Sequence, residues 1–216
     1  MKQLIEKWQR WLPQLRDELF ALTLSRQVYK ELGEILASNP AVPPSILFEL
    51  IHRWHLQAVV MGVRRMVKRQ RDSISLAALL QEIQDAPTAL TREWYRSLWN
   101  GSPVAEKADA TFDRFSGAGG SHVDPGMVQA DLNRLLGSAA GVEQYTDRLI
   151  AHLDQRGVKI LPTYDELDAS IALIGELVQK YGLLLEASGL ATTVPFIVQD
   201  WKAALRVPWL AEGAAA

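Results

Sequence analysis

The segment TYDELDASIALIGELVQKYGLLL, residues 163–185, decides the fold class of this chain. It opens with Thr163 and Glu166, which have the spacing of a capping box at the start of a helix. Its apolar side chains then recur every three or four residues, which is the period of one face of an α-helix. The segment therefore predicts a long amphipathic helix. Its apolar stripe consists of Leu167, Ile171, Ile174, Val178, Tyr181 and Leu185.

The same helical period extends over most of the chain toward the N-terminus. Apolar residues between Leu15 and Leu36 predict a long helix, and Pro13 marks a point where a helix can begin or kink. The residues before Pro13 could therefore form a separate short helix. Further helices are predicted from about Ser45 to Arg71, after Ser73 or Ser75, and after Thr88 or Thr91.

The C-terminal half shows the same pattern with clearer breaks. Asp124 followed by Pro125 is an N-cap with proline at the first helical position, so a helix should begin there and run to about Leu136. Gly137 and Gly141 are expected to make the connection between this helix and the next one flexible. The remaining helices are predicted at Tyr145–Asp154, at 163–185 and, as a short final piece, at Phe196–Leu205.

We therefore expect an all-α fold, an up-and-down bundle of about six to eight helices, in a single domain over residues 1–210. The Gly- and Ser-rich stretch at 100–123 is expected to be a long loop, and residues 211–216 a flexible tail.

Composition narrows the class of protein. The 216 residues carry a formal net charge of −2, which excludes a broadly cationic nucleic-acid binder but leaves room for a local basic patch. Cysteine is absent, so disulfides, thiolate metal sites and cysteine nucleophiles are excluded. The N-terminus has no signal-peptide core, and no apolar run could span a bilayer. We expect a soluble cytoplasmic protein with no membrane association, no cofactor and no metal.

The basic run RRMVKRQR, residues 64–71, is a candidate RNA-binding surface. On a continuous helix, Arg64 and Lys68 would share one side with Arg71, and Arg65 and Arg69 would lie beside them. Such a row attracts phosphates. The alternative is that the cations only complement the negative end of the helix dipole.

Two histidines in IHRWH, His52 and His55, have the spacing of a helical metal pair. No glutamate stands in the zincin arrangement and no third ligand is evident, so satisfied or exposed histidines are the better interpretation. The tryptophans Trp8, Trp11, Trp54, Trp94 and Trp99 could line an apolar pocket, although tryptophans at helical spacing more often belong to a core.

The predicted helix YTDRLIAHLD, residues 145–154, contains the residues best suited to catalysis. Arg148 and His152 lie four positions apart and so share a face. His152 could act as general acid or base and Arg148 as a phosphate clamp, with Asp147 and Asp154 orienting or tuning them. The alternative is an exposed helical face on which these side chains are solvated and paired.

At these residues the chain resembles the HEPN superfamily of helical domains, and within it the AbiU-type abortive-infection proteins. The resemblance covers most of the chain, and the order of the segments carries it. The segments are LRDELFALTLSRQVYKEL (residues 15–32), Trp54 to Arg65, SLAALL (75–80), YTDRLIAHLD (145–154), PTYDELDASI (162–171) and Pro208–Trp209.

The resemblance implies a bundle that often dimerises, and, in members that cleave RNA, an arginine and a polar residue followed by a histidine after four to six intervening positions. His152 fits the histidine and Asp147 the polar residue. Thr146 stands where the arginine would be expected, and Arg148 is too close to His152. Either Arg148 substitutes, or a basic residue such as Arg64 or Arg65 arrives from elsewhere, or catalysis is lost and binding remains.

Two functions follow. The leading one is an RNA-binding protein or metal-independent ribonuclease in phage defence or a toxin–antitoxin-like system, with His152, Arg148 and Asp147 as its site. The alternative is a non-catalytic dimerisation or protein-interaction module. RNA, a second copy of the chain, and an antitoxin or other protein are the expected partners.

Overall fold

The computed structural model describes residues 1–70, 72–146, 162–188 and 199–207, and regular structure in these ranges is helical apart from one β-bridge between Thr91 and His122. The all-α bundle is confirmed. Its α-helices are α1 (Lys2–Ala37), α2 (Ile46–Val67), α3 (Leu76–Asp85), α4 (Arg92–Leu98), α5 (Ala108–Ser116), α6 (Pro125–Tyr145) and α7 (Tyr164–Glu186). Short 3-10 helices lie at Pro87–Ala89, Ala105–Lys107 and Trp201–Arg206.

Helix α7 lies at the centre of the bundle and contacts α1, α2, α4 and α6. It begins at the predicted capping box, in which the hydroxyl of Thr163 accepts from the amide of Glu166 and the Glu166 carboxylate accepts from the amide of Thr163. The whole predicted stripe is buried. Burial of each large apolar side chain stabilises the fold by about 1.5–3 kcal/mol.

Helix α1 continues through Pro13, so the separate N-terminal helix suggested by that residue is wrong. Pro13 lies on the exposed side, while Trp8, Leu12, Leu15 and Leu19 form one buried stripe across it. A proline inside a helix costs about 3 kcal/mol. Burial of these four large side chains on one face of the helix outweighs that cost.

The long loop expected at 100–123 is also wrong, because helix α5 lies inside it. Ala108, Phe112 and Phe115 have helical spacing and are buried in the bundle. The glycines lie outside the helix, where Gly117 and Gly119 adopt positive φ angles of 71° and 72° that other residues rarely tolerate.

Helix α6 begins at Asp124 and Pro125 as predicted but does not end near Leu136. It continues to Tyr145 because Ala139 and Val142 are buried beyond that point. Gly137 and Gly141 lie on its open side, where a Cβ atom would meet nothing within 4 Å. The expected break at the glycines is therefore absent.

Three helix segments meet at one end of the bundle: the start of α2, the last turn of α6 and the start of α7. Tyr145 and His52 of α2 line the same cavity, and Tyr164 contacts both His52 and Tyr29 of α1. This end carries the candidate site. Among the helices described, none combines the length and apolar character that a membrane span requires.

Candidate functional site

Two tyrosines pack against the histidines of α2. We term this group the tyrosine–histidine cluster, and it consists of Tyr29, His52, His55 and Tyr164. Nδ1 of His52 lies 2.5 Å from the hydroxyl of Tyr29 and 3.1 Å from that of Tyr164. The two hydroxyls are 3.4 Å apart. Three helices therefore fix the orientation of one exposed imidazole ring.

His55 has a different environment from His52. Its ring stacks on Tyr29 with centroids 3.9 Å apart and planes 7° from parallel, and its Nδ1 lies 3.1 Å from the hydroxyl of Ser25. Burial, together with the charges of His52 and Arg26, lowers the pKa of His55 to about 4. His55 is therefore neutral at physiological pH and packs as an aromatic ring.

A cavity of about 700 Å³, the large cavity, opens beside His52. Polar groups from one helical turn line it, namely Glu49, His52 and Arg53, together with Ser45 at the N-cap of α2. No ion pair engages Arg53 within the described ranges. The rest of its wall is apolar or aromatic and consists of Leu36, Val42, Pro43, Pro44, Phe48, Leu56 and Tyr145.

A smaller cavity of about 180 Å³, the small cavity, lies across Leu56 from the large one. Arg26 and Asp168 form a bidentate ion pair that joins α1 to α7 at its wall, with Lys30 beside them. Tyr29, His55 and Tyr164 complete the polar part of the lining. The cluster thus separates an open cavity from a narrow, charged one.

The histidines do not join a metal site among the residues that the structure describes, where no group of three or more His, Asp or Glu side chains could hold an ion. The tryptophan pocket is not supported either. Trp8 is fully buried in the core, Trp54 is 56% exposed, and neither cavity is lined by a tryptophan of the described ranges.

The basic run does not form the single helical face that was predicted. Helix α2 ends at Val67, so Lys68 and Arg69 leave the helix, and Arg71 lies outside the described residues. Arg65 pairs with Glu18 of α1, and Arg69 bonds the side chain of Gln81. The run also begins about 18 Å along α2 from His52, at a rise of 1.5 Å per residue.

The predicted catalytic residues Asp147, Arg148 and His152 lie outside the described residues, as does Asp154. The described chain stops at Thr146, next to Tyr145 in the wall of the large cavity, and resumes at Pro162, just before Tyr164 of the cluster.

Thr146 itself faces the core. It is 0% exposed, and its hydroxyl donates to the carbonyl of Val142 at 2.7 Å. The position at which the resemblance expects a catalytic arginine is therefore directed away from solvent and cannot contact a substrate.

Sequence reasoning missed Tyr29 and Tyr164 as partners of the histidines. Each looks like an ordinary helix residue, and Tyr164 is the first residue after a capping threonine. The available signal was two closely spaced histidines on a predicted helix. That signal marks α2, but it does not identify what packs against it.

The family model described as AbiU2, of the HEPN group, matches residues 5–204 of the chain. No curated protein and no solved structure matches it.

Proposed function

Because the chain belongs to the AbiU2 family of HEPN proteins, an abortive-infection family, we propose that it binds RNA and cleaves it without a metal ion. The setting proposed is phage defence or a toxin–antitoxin-like system. One observation supports this most directly. The large cavity is lined by His52, whose ring is oriented by Tyr29, by Arg53, which forms no ion pair within the described ranges, and by the aromatic side chains of Phe48 and Tyr145.

These groups suit the chemistry of RNA cleavage. The reaction needs a base for the 2′-hydroxyl, an acid for the leaving oxygen and a cation for the charge that develops on phosphorus. We propose His152 as an acid–base group, Arg148 as the phosphate-binding cation and Asp147 as the residue that tunes them. Thr146 cannot take the cation's place, since its side chain is neutral and also buried.

The basic run would act at a distance from this chemistry. We propose that Arg64, Arg65, Lys68 and Arg69 bind the phosphates of flanking nucleotides, although the ion pair of Arg65 with Glu18 must open for that residue to take part. Such contacts make binding weaker as salt concentration rises.

The test is cleavage of end-labelled single-stranded RNA by the pure protein in excess EDTA. We expect cleavage by the wild type, and a loss of about 100-fold or more in His152→Ala and Arg148→Ala. His122→Ala is the matched control, because His122 pairs with Thr91 in the β-bridge on another side of the bundle. Cleavage that survives both site substitutions would overturn the assignment, and wild-type protein that neither binds nor cuts RNA would overturn the function.

A second function, a non-catalytic dimerisation or protein-interaction module, is favoured by a different observation. Ile46, Leu47 and Trp54 of α2 are 68%, 44% and 56% exposed, which leaves an apolar face without a partner in the described chain. We expect Trp54→Ser to lower the apparent mass in sedimentation if this face joins two copies. An unchanged mass, with RNA cleavage intact, would count against this alternative.

A further inference from the structure

We infer that His52 is a second acid–base group of the proposed RNA cleavage, that it acts through Nε2 in the large cavity, and that Tyr29 and Tyr164 are its positioning residues. The inference rests on the proposed function, since it names a group in that reaction. It does not depend on Asp147, Arg148 or His152, because His52 and its tyrosine partners lie among the described residues.

The first argument is the orientation of the ring. Both tyrosine hydroxyls contact Nδ1 of His52, at 2.5 and 3.1 Å, and they come from two different helices. A partner on one ring nitrogen fixes the direction and the tautomer of the other. Nε2, across the ring, has no hydrogen-bond partner among the described residues, and the side chain lines the large cavity.

The second argument is the number of protons available. The hydroxyl of Tyr164 has one proton, so it cannot donate both to Tyr29 and to Nδ1. Nδ1 likewise carries at most one proton. In the tautomer that places the ring hydrogen there, Nδ1 donates to the hydroxyl of Tyr29, which is the nearer oxygen, and Tyr164 also donates to the oxygen of Tyr29. In that arrangement Nε2 has a free lone pair, which is the form required of a general base.

The step then balances as follows. Nε2 of His52 takes the proton of the 2′-hydroxyl while the 2′-oxygen bonds the adjacent phosphorus. The bond from phosphorus to the 5′-oxygen breaks, and that oxygen takes up a proton from water. The products are a 2′,3′-cyclic phosphate and a 5′-hydroxyl, and His52 then loses its proton to water. Arg53, also in the wall of the large cavity, faces the charge on the phosphate.

The cavity also indicates the class of RNA. Phe48, Leu56 and Tyr145 provide apolar and aromatic surface for a base, and Ser45 and Glu49 provide polar groups for its edge. A base can reach such a surface only when it is unpaired and unstacked. The expected substrate is therefore single-stranded RNA rather than a duplex.

The experiment measures kcat and KM on a fluorescent single-stranded RNA in EDTA. His52→Gln should lower kcat by about 100-fold or more with KM nearly unchanged. His52→Ala should recover part of the lost rate when imidazole is added, which a purely structural role would not allow. Tyr29→Phe should lower kcat by about 10-fold at constant KM, because the ring keeps its stacking but loses one contact that orients it.

The matched control is His122→Gln, which removes the same imidazole outside the cluster and should keep the wild-type rate. His122 pairs with Thr91, the N-cap of α4. Tyr95 of that helix bonds Leu183, which lies about 28 Å along α7 from Tyr164. Thermal melting of each variant shows whether it is folded.

The possible outcomes separate this inference from the function on which it rests. An active wild type with a fully active His52→Gln variant overturns the inference and leaves the proposed function standing. A slow His52→Ala variant that imidazole does not rescue also overturns it, because His52 would then be structural. A wild type that binds RNA without cutting it overturns the inference and the cleavage activity, and one that does neither overturns the function entirely.

Discussion

Replacing Thr146 by arginine, which would restore the residue that the cleaving HEPN pattern expects, should damage this protein rather than activate it. Thr146 is fully buried, and its hydroxyl donates to the carbonyl of Val142 at 2.7 Å. A guanidinium at this position loses its water, and a buried charge left unpaired costs about 3–5 kcal/mol. That is a large part of the 5–15 kcal/mol by which a domain is typically stable.

Urea unfolding followed by circular dichroism measures the loss, and RNA cleavage in EDTA is measured on the same samples. Thr146→Val is the control, because it keeps the shape of the side chain and removes only the hydrogen bond, at a cost of about 0.5–1.5 kcal/mol. A Thr146→Arg variant with the wild-type unfolding midpoint and faster cleavage would refute the reasoning, since position 146 would then have to reach the substrate.

Three further predictions test other parts of the structure. Phe112→Ala should lower the free energy of unfolding in urea by about 3–5 kcal/mol, because Phe112 is fully buried. The control Val104→Ala, at an exposed position, should lower it by less than about 0.5 kcal/mol, and equally small losses in both variants would contradict the packing of helix α5. The pKa of His55 falls from 6.5 to about 4 on folding, chiefly through burial, so the unfolded chain binds a proton on His55 more readily than the folded chain. The free energy of unfolding should therefore fall as pH drops from 6.5 toward 4, and it should fall less in His55→Asn. Arg53→Gln, but not Arg10→Gln, should reduce the slope of log affinity for single-stranded RNA against log salt by about 0.7, measured by fluorescence anisotropy.

The helices could be predicted where local signals agree. Thr163 with Glu166, and Asp124 with Pro125, begin helices because each cap satisfies amides that the helix itself leaves open. The errors came from giving a single residue too much weight. Pro13 costs about 3 kcal/mol and a helical glycine such as Gly137 about 1 kcal/mol, and the buried side chains on either side of each outweigh those costs.

Helix α5 was missed for a related reason. Glycines and serines surround it, and its apolar contribution is three residues, Ala108, Phe112 and Phe115. What holds it in place is partly distant in sequence: Arg92 of α4 is buried and bonds Asp109, Asp113 and the carbonyl of Gly120. No local pattern reveals such an anchor.

The candidate site could be predicted only in part, because its contacts are long-range. His52 is 23 residues from Tyr29 and 112 residues from Tyr164, and the three meet through the packing of α1, α2 and α7. Helical spacing places His52 and His55 on one face of α2, which is correct. It cannot show that one ring is stacked and neutral while the other is held at the edge of a cavity.

The two functions proposed for this chain use opposite faces of the same helix and are therefore compatible. At about 100° per residue, Trp54 and Leu47 lie about 200° and 220° around α2 from His52, whereas Ile46 lies between the two faces. A second copy or an antitoxin seated on the apolar face would leave the large cavity open to RNA. Trp54→Ser should then change assembly without changing cleavage, and His52→Gln should do the reverse. If either substitution altered both properties equally, the two faces of α2 would have to act as one site.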